Sequence, residues 1–323
     1  MIKKVSLIIP SKTNKFYLED YLVGILFWAC VPQEVIVVNT DQKIKINSTI
    51  LKKYKKKKIQ IKIINKKNLY PGQARNIGIK ASKFKYLCFL DVNTVVYNSN
   101  WLRLNFNILN NKKIDGILGQ TIYLSNHTKE KIIIGSTYGF KKLSTLPGSI
   151  IKKKIFSELG LFNNFTRAGE DTDWLLRIKK SKFIFLPAAV PIYYKGLYQA
   201  KYRQIIKKWF RNYYSSSNYK HLLNQKIIYL IVFLLSTFVV LIEIFLTYKN
   251  VYISFEPLLM TFSKLFVYSY IIYRGFYLPL KKNVRLNFLL PINFIKILFF
   301  SFILDIVKTF SFILSIFNKF KKS

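Results

Sequence analysis

An acidic cluster lies in the second half of the chain, in the run Gly169-Glu170-Asp171-Thr172-Asp173-Trp174. The chain has 14 Asp and Glu residues against 53 Lys and Arg residues, so three carboxylates within four positions run against its composition. Like charges this close repel one another and raise carboxyl pKa values unless a cation or a proton offsets them. The cluster therefore indicates a site of proton transfer or cation binding. The alternative is an acidic first turn of a helix, which the helix dipole favours.

A second candidate carboxylate, Asp91, directly follows the apolar run Tyr86–Leu90. The run predicts a short buried strand, and ligands of open α/β sheets bind beyond the carboxyl ends of the strands. Asp91 and Asn93 offer side-chain oxygens to one hard cation, and Mg²⁺ or Mn²⁺ binds such oxygens and phosphates together. We therefore predict a cation site here. The alternative is that Asp91 caps the turn after the strand.

The elements that must position these residues alternate between strands and helices. Apolar runs predict buried parallel strands at 5–9, 34–38, 59–64 and 86–90, and helical spacing predicts helices at 16–29 and 73–81. This alternation predicts an α/β fold with a parallel sheet covered on both faces. After Trp101 the pattern loosens, and we expect a strand at 132–140, helices at 152–159 and 171–179, and a strand at 183–186.

Composition excludes several classes of protein. Two Cys and two His in 323 residues predict neither a disulfide framework nor a zinc or histidine-based metal site. The formal net charge of +39 favours anionic surfaces, but the Lys residues are spread over every loop and no nucleic-acid module is recognisable. No nucleic-acid partner is therefore expected.

The last third of the chain is nearly all apolar and predicts a membrane region. Residues 198–225 begin with a basic helix that has aromatic residues on one face, which is typical of a membrane interface or of a helix packed on a protein core. Ile227–Thr247 and Val251–Tyr273 are candidate spans, and Leu286–Phe317 is expected to lie in the interface or to form a re-entrant hairpin. With no signal peptide and with basic loops kept inside, residues 1–197 and Ser323 are predicted on the cytoplasmic side.

Six segments in order resemble family 2 glycosyltransferases with the GT-A fold, over about residues 1–197. The segments are Val5–Pro10, Glu34–Asn39, Gly72–Gly78, Leu90–Asn93, Gly148 with Gly160–Phe162, and Gly169–Arg177. The resemblance implies a GT-A domain at 1–197, followed by the basic interfacial helix at 198–225 and a membrane region at 226–323. The apolar tail resembles membrane-bound bacterial members that build cell-surface glycans.

The resemblance implies an inverting transfer from a nucleotide-sugar donor to a lipid-linked or cell-surface glycan acceptor. It makes Asp171 the general base and lets Glu170 position acceptor or sugar. Arg75 is placed near the phosphates or braces the site, and a divalent cation, Mn²⁺ or Mg²⁺, is placed at Asp91 and Asn93. The other implied contacts are Pro10, Ser11, Asn39 and Asp41 with Asp91 on the donor side, and Gly148, Asp173 and Trp174 on the acceptor side.

Three positions depart from the family pattern. Asn39 stands where the family usually has Asp, and Asn93 replaces the second Asp of the metal motif. The segment Ile192–Lys195 lacks the metal-binding His of many members, and Lys195 is a candidate substitute for part of the cation's charge.

Two other functions stay open at this point. One is a polyprenyl-phosphate sugar transferase, in which the membrane segments position a lipid phosphate. The other is a non-catalytic basic protein that binds a membrane surface or nucleic acid and in which the carboxylates are structural.

Overall fold

The computed structural model describes residues 4–12, 14–111, 114–197, 201–216, 219–249 and 256–320. The chain divides into two compact units. The first consists of Met1–Leu124 and Lys142–Leu197, and the second of Ser125–Lys141 and Tyr198–Ser323. The predicted domain at 1–197 therefore contains an insertion, residues 125–141, that belongs structurally to the second unit.

The first unit is built on a mixed sheet. Its strands are β1 (Val5–Ser11), β2 (Glu34–Asn39), β3 (Gln60–Asn65), β4 (Tyr86–Phe89), β5 (Thr94–Val95), β6 (Gly116–Tyr123), β7 (Leu143–Lys152), β8 (Phe185–Pro187) and β9 (Ile192–Tyr194). The order is β3-β2-β1-β4-β7-β6-β9-β5, and β8 pairs with β6. The first four strands in this order run parallel, and β7 is antiparallel to both of its neighbours. The four strands predicted in the first 90 residues are thereby confirmed.

Helices cover both faces of the sheet. In chain order the helices are α1 (Lys15–Leu26), α2 (Ser48–Lys56), α3 (Pro71–Ala81), α4 (Trp101–Asn111), α5 (Thr128–Ser136), α6 (Lys154–Glu158) and α7 (Glu170–Lys179). All but α5 belong to the first unit. The strands alternate their side chains between two separate cores, because Leu7 and Ile9 pack with α1 and α2 while Ile8 packs with α3, α6 and α7.

The strand predicted at 132–140 is wrong, because this segment forms α5. Its consecutive isoleucines have strand propensity, but Ile132 packs against Ile297, Val284 and Leu289 in the core of the second unit. Ser136 Oγ also donates to the backbone carbonyl of Ile132, one helical turn earlier, at 2.8 Å. Tertiary packing therefore overrides the local preference of the β-branched residues.

The second unit is helical. Besides α5 it contains α8 (Tyr202–Ser216), α9 (Lys220–Tyr248), α10 (Glu256–Tyr270), a π-helix (Ile271–Tyr277), α11 (Leu278–Lys281), α12 (Leu286–Leu289) and α13 (Asn293–Phe320). Within the described residues, Ile227–Tyr248 and Asn293–Asn318 are long and apolar enough to cross a membrane. Most of the segment at 286–317 is one unbroken helix, α13, which does not fit a re-entrant hairpin, and its interfacial position stays a prediction. The expected second span at 251–273 begins outside the described residues and is helical from Glu256 through α10 and the π-helix, so it also stays a prediction.

The basic helix predicted from residue 198 is α8, and its aromatic face packs on protein. Tyr202 lies 4.9 Å from Phe300 and Phe210 lies 6.5 Å from Phe310, measured between ring centroids. These contacts are compatible with both alternatives, so the interfacial position of α8 stays a prediction. Residues 198–200 and Ser323 lie outside the described part of the chain, and so do the predictions made for them.

Candidate active site

The acidic cluster and Asp91 lie at the same edge of the sheet, joined by one arginine. Arg75, on α3, is 5% exposed. Its Nη1 donates to Glu170 Oε1 at 2.6 Å, and its Nη2 donates to Asp91 Oδ1 at 3.4 Å. Asp91 follows the carboxyl end of β4, and Glu170 is the first residue of α7. The guanidinium thus ties the end of a central strand to the start of a helix.

Burial and the neighbouring charges shift the pKa values of Arg75 and Glu170 in opposite directions. Burial alone would lower the pKa of Arg75, but Asp91, Glu170 and Asp171 outweigh it and raise that pKa. Burial raises the pKa of Glu170 to about 6, although Arg75 lowers it. Arg75 therefore stays protonated. Glu170 is ionised at neutral pH and titrates just below neutral pH. Glu170 was expected to position acceptor or sugar, but its buried carboxylate is bound to Arg75.

Asp171 is the carboxylate of the cluster that is turned toward solvent. Its side chain is partly exposed, and its Oδ1 accepts hydrogen bonds from Thr172 N at 2.7 Å and from Thr172 Oγ1 at 3.4 Å. The helix begins after Gly169, whose φ of +92° is in the left-handed region that favours glycine. This turn buries Glu170 and leaves the Asp171 carboxylate accessible to a ligand.

Two residues predicted on the acceptor side support the helix instead. Trp174 is fully buried, stacks on Phe156 at 4.5 Å between ring centroids, and donates from Nε1 to the Gly160 carbonyl at 3.0 Å. Asp173 pairs with Arg177 at 3.2 Å, as expected for a local ion pair. The assignment of Trp174 to an acceptor contact is corrected, because no face of its ring reaches solvent.

Gly148 also has a structural position. It is buried in β7 with a φ of +86°, next to the irregularity of β6 between Ile117 and Gly119. A Cβ at this position would lie 3.3 Å from the Gly119 Cα. Gly148 therefore lets two strands approach closely, and its acceptor contact stays a prediction.

Asn76 lies within the segment Gly72–Gly78 and had no predicted role. Its Nδ2 donates to the Phe162 carbonyl at 2.8 Å, and its Oδ1 accepts from the Phe162 N–H at 3.0 Å. A Cβ on Gly72 would lie 2.2 Å from the Asn163 carbonyl oxygen. These contacts hold the loop before α7 against α3.

The residues predicted on the donor side lie at the carboxyl ends of β1 and β2. Asn39 is fully buried, and its Nδ2 donates to the Gln42 carbonyl at 2.7 Å and to Asn65 Oδ1 at 2.9 Å. Its amide therefore shapes the loop after β2, and its donor contact stays a prediction. Pro10 is half-buried at the end of β1, and the exposed Asp41 lines a surface cavity of about 670 Å³ together with Asn14, Lys15 and residues 42–45.

Ser11 ends β1 with an unsatisfied hydroxyl. The residue is 2% exposed, and its Oγ has no hydrogen-bond partner among the described residues. Its carbonyl accepts from Thr40 N at 2.8 Å, which ties the two strand ends together. A buried hydroxyl without a partner is costly in a folded chain, so this one is a candidate hydrogen-bonding group for a ligand.

The oxygens available for a cation come from Asp91 and Asn93. The described part of the chain contains no group of three or more His, Cys, Asp or Glu residues arranged to hold a metal. The Asn93 side chain is exposed. The backbone carbonyl of Asn93 accepts from the backbone N–H of Lys195 at 3.0 Å. Mg²⁺-like ions are commonly held by one or two protein oxygens together with substrate phosphates and water, so the donor set fits a cation brought with a diphosphate.

Comparison with known proteins relates residues 6–160 to one family. Residues 6–160 match the model described as Glycosyl transferase family 2. An uncharacterized glycosyltransferase of Rickettsia bellii is 32% identical over 176 residues, which cover 52% of this chain and 25% of that protein. An uncharacterized glycosyltransferase of Bacillus subtilis, EpsJ, is 31% identical over 104 residues, which cover 32% of this chain and 30% of that one. The chain thus spans between a quarter and a third of the length of these curated relatives.

Two solved structures are similar at lower identity. Staphylococcus aureus TarS 1–349 in complex with UDP-GlcNAc has a TM-score of 0.45 and 16% identity, over 64% of this chain and 66% of that one. The mannosyltransferase PcManGT from Pyrobaculum calidifontis, in complex with GDP-Man and Mn²⁺, has a TM-score of 0.48 and 11% identity, over 65% and 62%. The family match and the strand order together confirm the predicted α/β fold of the GT-A type.

Proposed function

Residues 6–160 belong to glycosyl transferase family 2, and from this premise we propose that the chain transfers a sugar from a nucleotide-sugar donor to a hydroxyl of a lipid-linked or cell-surface glycan. The reaction inverts the anomeric carbon. The acceptor oxygen forms the new bond to that carbon, the bond to the diphosphate breaks, and the acceptor proton passes to the protein.

The arrangement of Arg75 between Asp91 and Glu170 carries the proposal. It fixes two carboxyl-bearing backbone segments that are far apart in sequence, one at a strand end and one at a helix start. Asp171 lies next to Glu170 and is partly exposed. A site of this kind needs a rigid frame and one accessible base, and here the buried pair supplies the frame.

Asp171 is the general base in this proposal. A carboxylate serves in this role when it can reach the acceptor hydroxyl at hydrogen-bond distance. The Thr172 backbone N–H that donates to Asp171 Oδ1 holds the carboxylate in position and leaves lone pairs free for the acceptor proton. Glu170 and Arg75 act through position, since Arg75 prevents Glu170 from turning toward the substrate.

On the donor side, Ser11 Oγ and the cavity beside Asp41 receive the nucleoside. Asp91 and Asn93 would hold a divalent cation together with the donor diphosphate, and such a cation supplies charge stabilisation to the departing diphosphate. Lys195 is linked to Asn93 through the backbone, and its Nζ lies 5.3 Å from the Tyr97 ring centroid. A lysine in this position adds positive charge on the same side as the cation.

We propose the domain boundaries predicted above, with the insertion 125–141 assigned to the second unit. The apolar helices at 227–248 and 293–318 support an integral protein of the cytoplasmic membrane whose catalytic unit faces the cytoplasm. In this arrangement the second unit raises the local concentration of a membrane-borne acceptor.

A screen of nucleotide sugars by thermal stabilisation tests the proposal. The full-length protein in detergent is heated with each donor, with and without Mn²⁺, and a bound donor raises Tm by mass action. We expect one donor to raise Tm, more strongly with Mn²⁺, and Ser11→Ala to reduce the shift. A panel of UDP-, GDP-, CDP- and TDP-sugars that leaves Tm unchanged would contradict it.

A further inference from the structure

A buried ionic cluster lies inside the helical unit, around Asp305 of α13. Asp305 is fully buried, and its Oδ2 lies 2.9 Å from Arg274 Nε while its Oδ1 lies 2.7 Å from Lys308 Nζ. Tyr229 and Tyr270 each donate from the hydroxyl to Asp305 Oδ2 at 2.8 Å. The cluster therefore joins α9, α10, the π-helix and α13.

This cluster has more positive than negative charge. Among the described residues, its ion pairs join one carboxylate with two cations, Arg274 at 5% exposed and Lys308 at 8% exposed. An excess charge in a buried site costs several kcal/mol unless a counter-ion is bound. Charged groups at membrane depth are functional candidates for the same reason.

A third cation lies within reach of the same charges. Lys282 Nζ donates to the Thr137 carbonyl at 2.6 Å. Burial, together with the charges of Arg274 and Lys308, lowers the pKa of Lys282 to about 7, while Asp305 opposes this shift. With Lys282 protonated, the group of four charged residues has a net charge of +2. A bound anion would favour that state.

Two hydrogen-bond donors beside the cluster lack partners among the described residues. Ser301, one turn before Asp305 on α13, is 1% exposed and its Oγ is unpaired, while its carbonyl accepts from Arg274 Nη2 at 3.5 Å. Trp209 Nε1 is also unpaired, and its ring lies 5.1 Å from Lys308 Nζ. Both donors lie next to a cation of the cluster.

An apolar groove ends at this cluster. A cavity of about 410 Å³ between α9 and α10 is lined by Leu235, Val239, Phe262 and Phe266, with Ser236 and Ser269. Tyr270 follows Ser269 directly, and Tyr229 precedes Leu235 by less than two helical turns, so the helices that line the groove lead to the two tyrosines that donate to Asp305. Cations at one end and an apolar wall along the rest match an amphipathic anion.

We propose that the helical unit binds a membrane lipid with a phosphate monoester headgroup, with the phosphate at Arg274, Lys282 and Lys308 and the hydrocarbon tail along the groove. A phosphate monoester carries about −1.5 to −2 charges at neutral pH, which offsets a net charge of +2, whereas a phosphodiester carries about −1. Its three terminal oxygens can accept from the two lysines, Ser301 Oγ and Trp209 Nε1. The inference rests on the proposed function for the membrane location of this unit.

The full-length protein in phosphatidylcholine nanodiscs provides the test. Phosphatidic acid, a polyprenyl monophosphate, phosphatidylglycerol and inorganic phosphate are titrated separately, and bound lipid is counted by native mass spectrometry. We expect one monoester lipid per chain, bound at least about tenfold more tightly than phosphatidylglycerol. Lys282→Gln and Lys308→Gln should each weaken binding by about tenfold, the value of one charge-assisted hydrogen bond.

Matched variants separate lipid binding from folding. Lys281→Gln and Lys296→Gln remove exposed cations from the same segments and should change affinity less than twofold. Ser301→Ala removes an unpaired buried hydroxyl, so it should leave Tm unchanged in the absence of the monoester lipid and still weaken binding several-fold.

Equal binding of phosphatidylglycerol, equal binding of inorganic phosphate, or equal losses in the control variants would overturn the inference. The donor screen on the same samples reports separately on the first unit. A protein that binds donor but not lipid refutes this site alone, and one that binds lipid but not donor refutes the proposed transferase.

Discussion

The two units each contain a buried ionic cluster, and the clusters have opposite stoichiometry. In the first unit one cation, Arg75, lies between two carboxylates, Asp91 and Glu170. In the second unit one carboxylate, Asp305, lies between two cations, Arg274 and Lys308. The first has an excess of negative charge, which suits a metal ion and a proton acceptor, and the second has an excess of positive charge, which suits a phosphate. The sign of the excess distinguishes what each unit is fitted to bind.

Substitution of the arginine in each cluster should give the largest difference in stability between the two clusters. Arg75→Met leaves Glu170 buried without its cation, and loss of one partner of a buried pair costs about 3–5 kcal/mol. Arg274→Met leaves Asp305 paired with Lys308, so we expect a smaller loss. Calorimetric unfolding of both full-length variants in the same detergent measures the difference. An Arg274→Met loss equal to or larger than that of Arg75→Met would contradict the assignment of the excess charges.

The pH dependence of Arg75→Met provides a second measurement. Burial already raises the pKa of Glu170 to about 6, and loss of Arg75 raises it further. A carboxyl with a raised native pKa binds more protons in the native than in the unfolded state, so stability falls as pH rises from the unfolded value through the native one. The variant should therefore recover part of its Tm between pH 7 and pH 5. Arg75→Met/Glu170→Gln should lose that recovery.

Asp171→Asn tests whether Asp171 is the general base. The substitution keeps the shape of the side chain and removes the basic oxygen, so we expect transfer to fall by about 10²-fold or more. Donor-induced stabilisation should change little, because Asp171 is placed on the acceptor side of the reaction. Asp173→Asn is the matched control, since Asp173 pairs with Arg177 and should affect transfer far less. Unchanged turnover in Asp171→Asn would refute the base assignment.

Gly169→Ala tests how the start of α7 presents Asp171. A residue with a Cβ at a φ of +92° is strained, at a cost of about 1–2 kcal/mol. We expect a lower Tm and a modest loss of transfer, because the turn that buries Glu170 and exposes Asp171 is disturbed. Gly24→Ala is the control, since a Cβ there meets no atom within 4 Å and lies in a helix. Equal Tm changes in the two variants would show that the Gly169 conformation is not required.

The sequence predicted which residue types form the site better than it predicted their roles. Strand order and strand ends located Asp91 and Ser11, because a buried run followed by a polar residue marks the edge of a parallel sheet. Arg75 could not be joined to Glu170 from sequence, since 95 positions separate them. Trp174 was misassigned although a signal existed. Glu170, Trp174 and Ile178 recur at helical spacing and are all buried, which indicates one core-facing side of α7.

The second unit was harder to predict because its signals are tertiary. The apolar runs gave the positions of long helices, but only packing shows that α5 joins them and that the aromatic face of α8 contacts α13. In the sequence, Asp305 and Lys308 interrupt the apolar run at 286–317. In the structure both fit within one continuous helix, because Arg274 and two tyrosines from other helices satisfy Asp305.

Asn93→Asp is expected to have the smallest effect of these substitutions. It adds one negative charge to the acidic cluster of the first unit. The change gives a hard cation a second carboxylate next to Asp91, so Mn²⁺ should bind several-fold more tightly in the presence of donor. Mn²⁺ titration followed by electron paramagnetic resonance measures this without turnover. Because the Asn93 side chain is exposed, the substitution should leave Tm without metal nearly unchanged.

Asn98→Asp, an exposed change of the same kind further along the loop, should not alter Mn²⁺ affinity. If Asn93→Asp gives no gain over Asn98→Asp, the cation does not lie at Asp91, and the positive charge near the diphosphate must come from Lys195 or another lysine of the first unit.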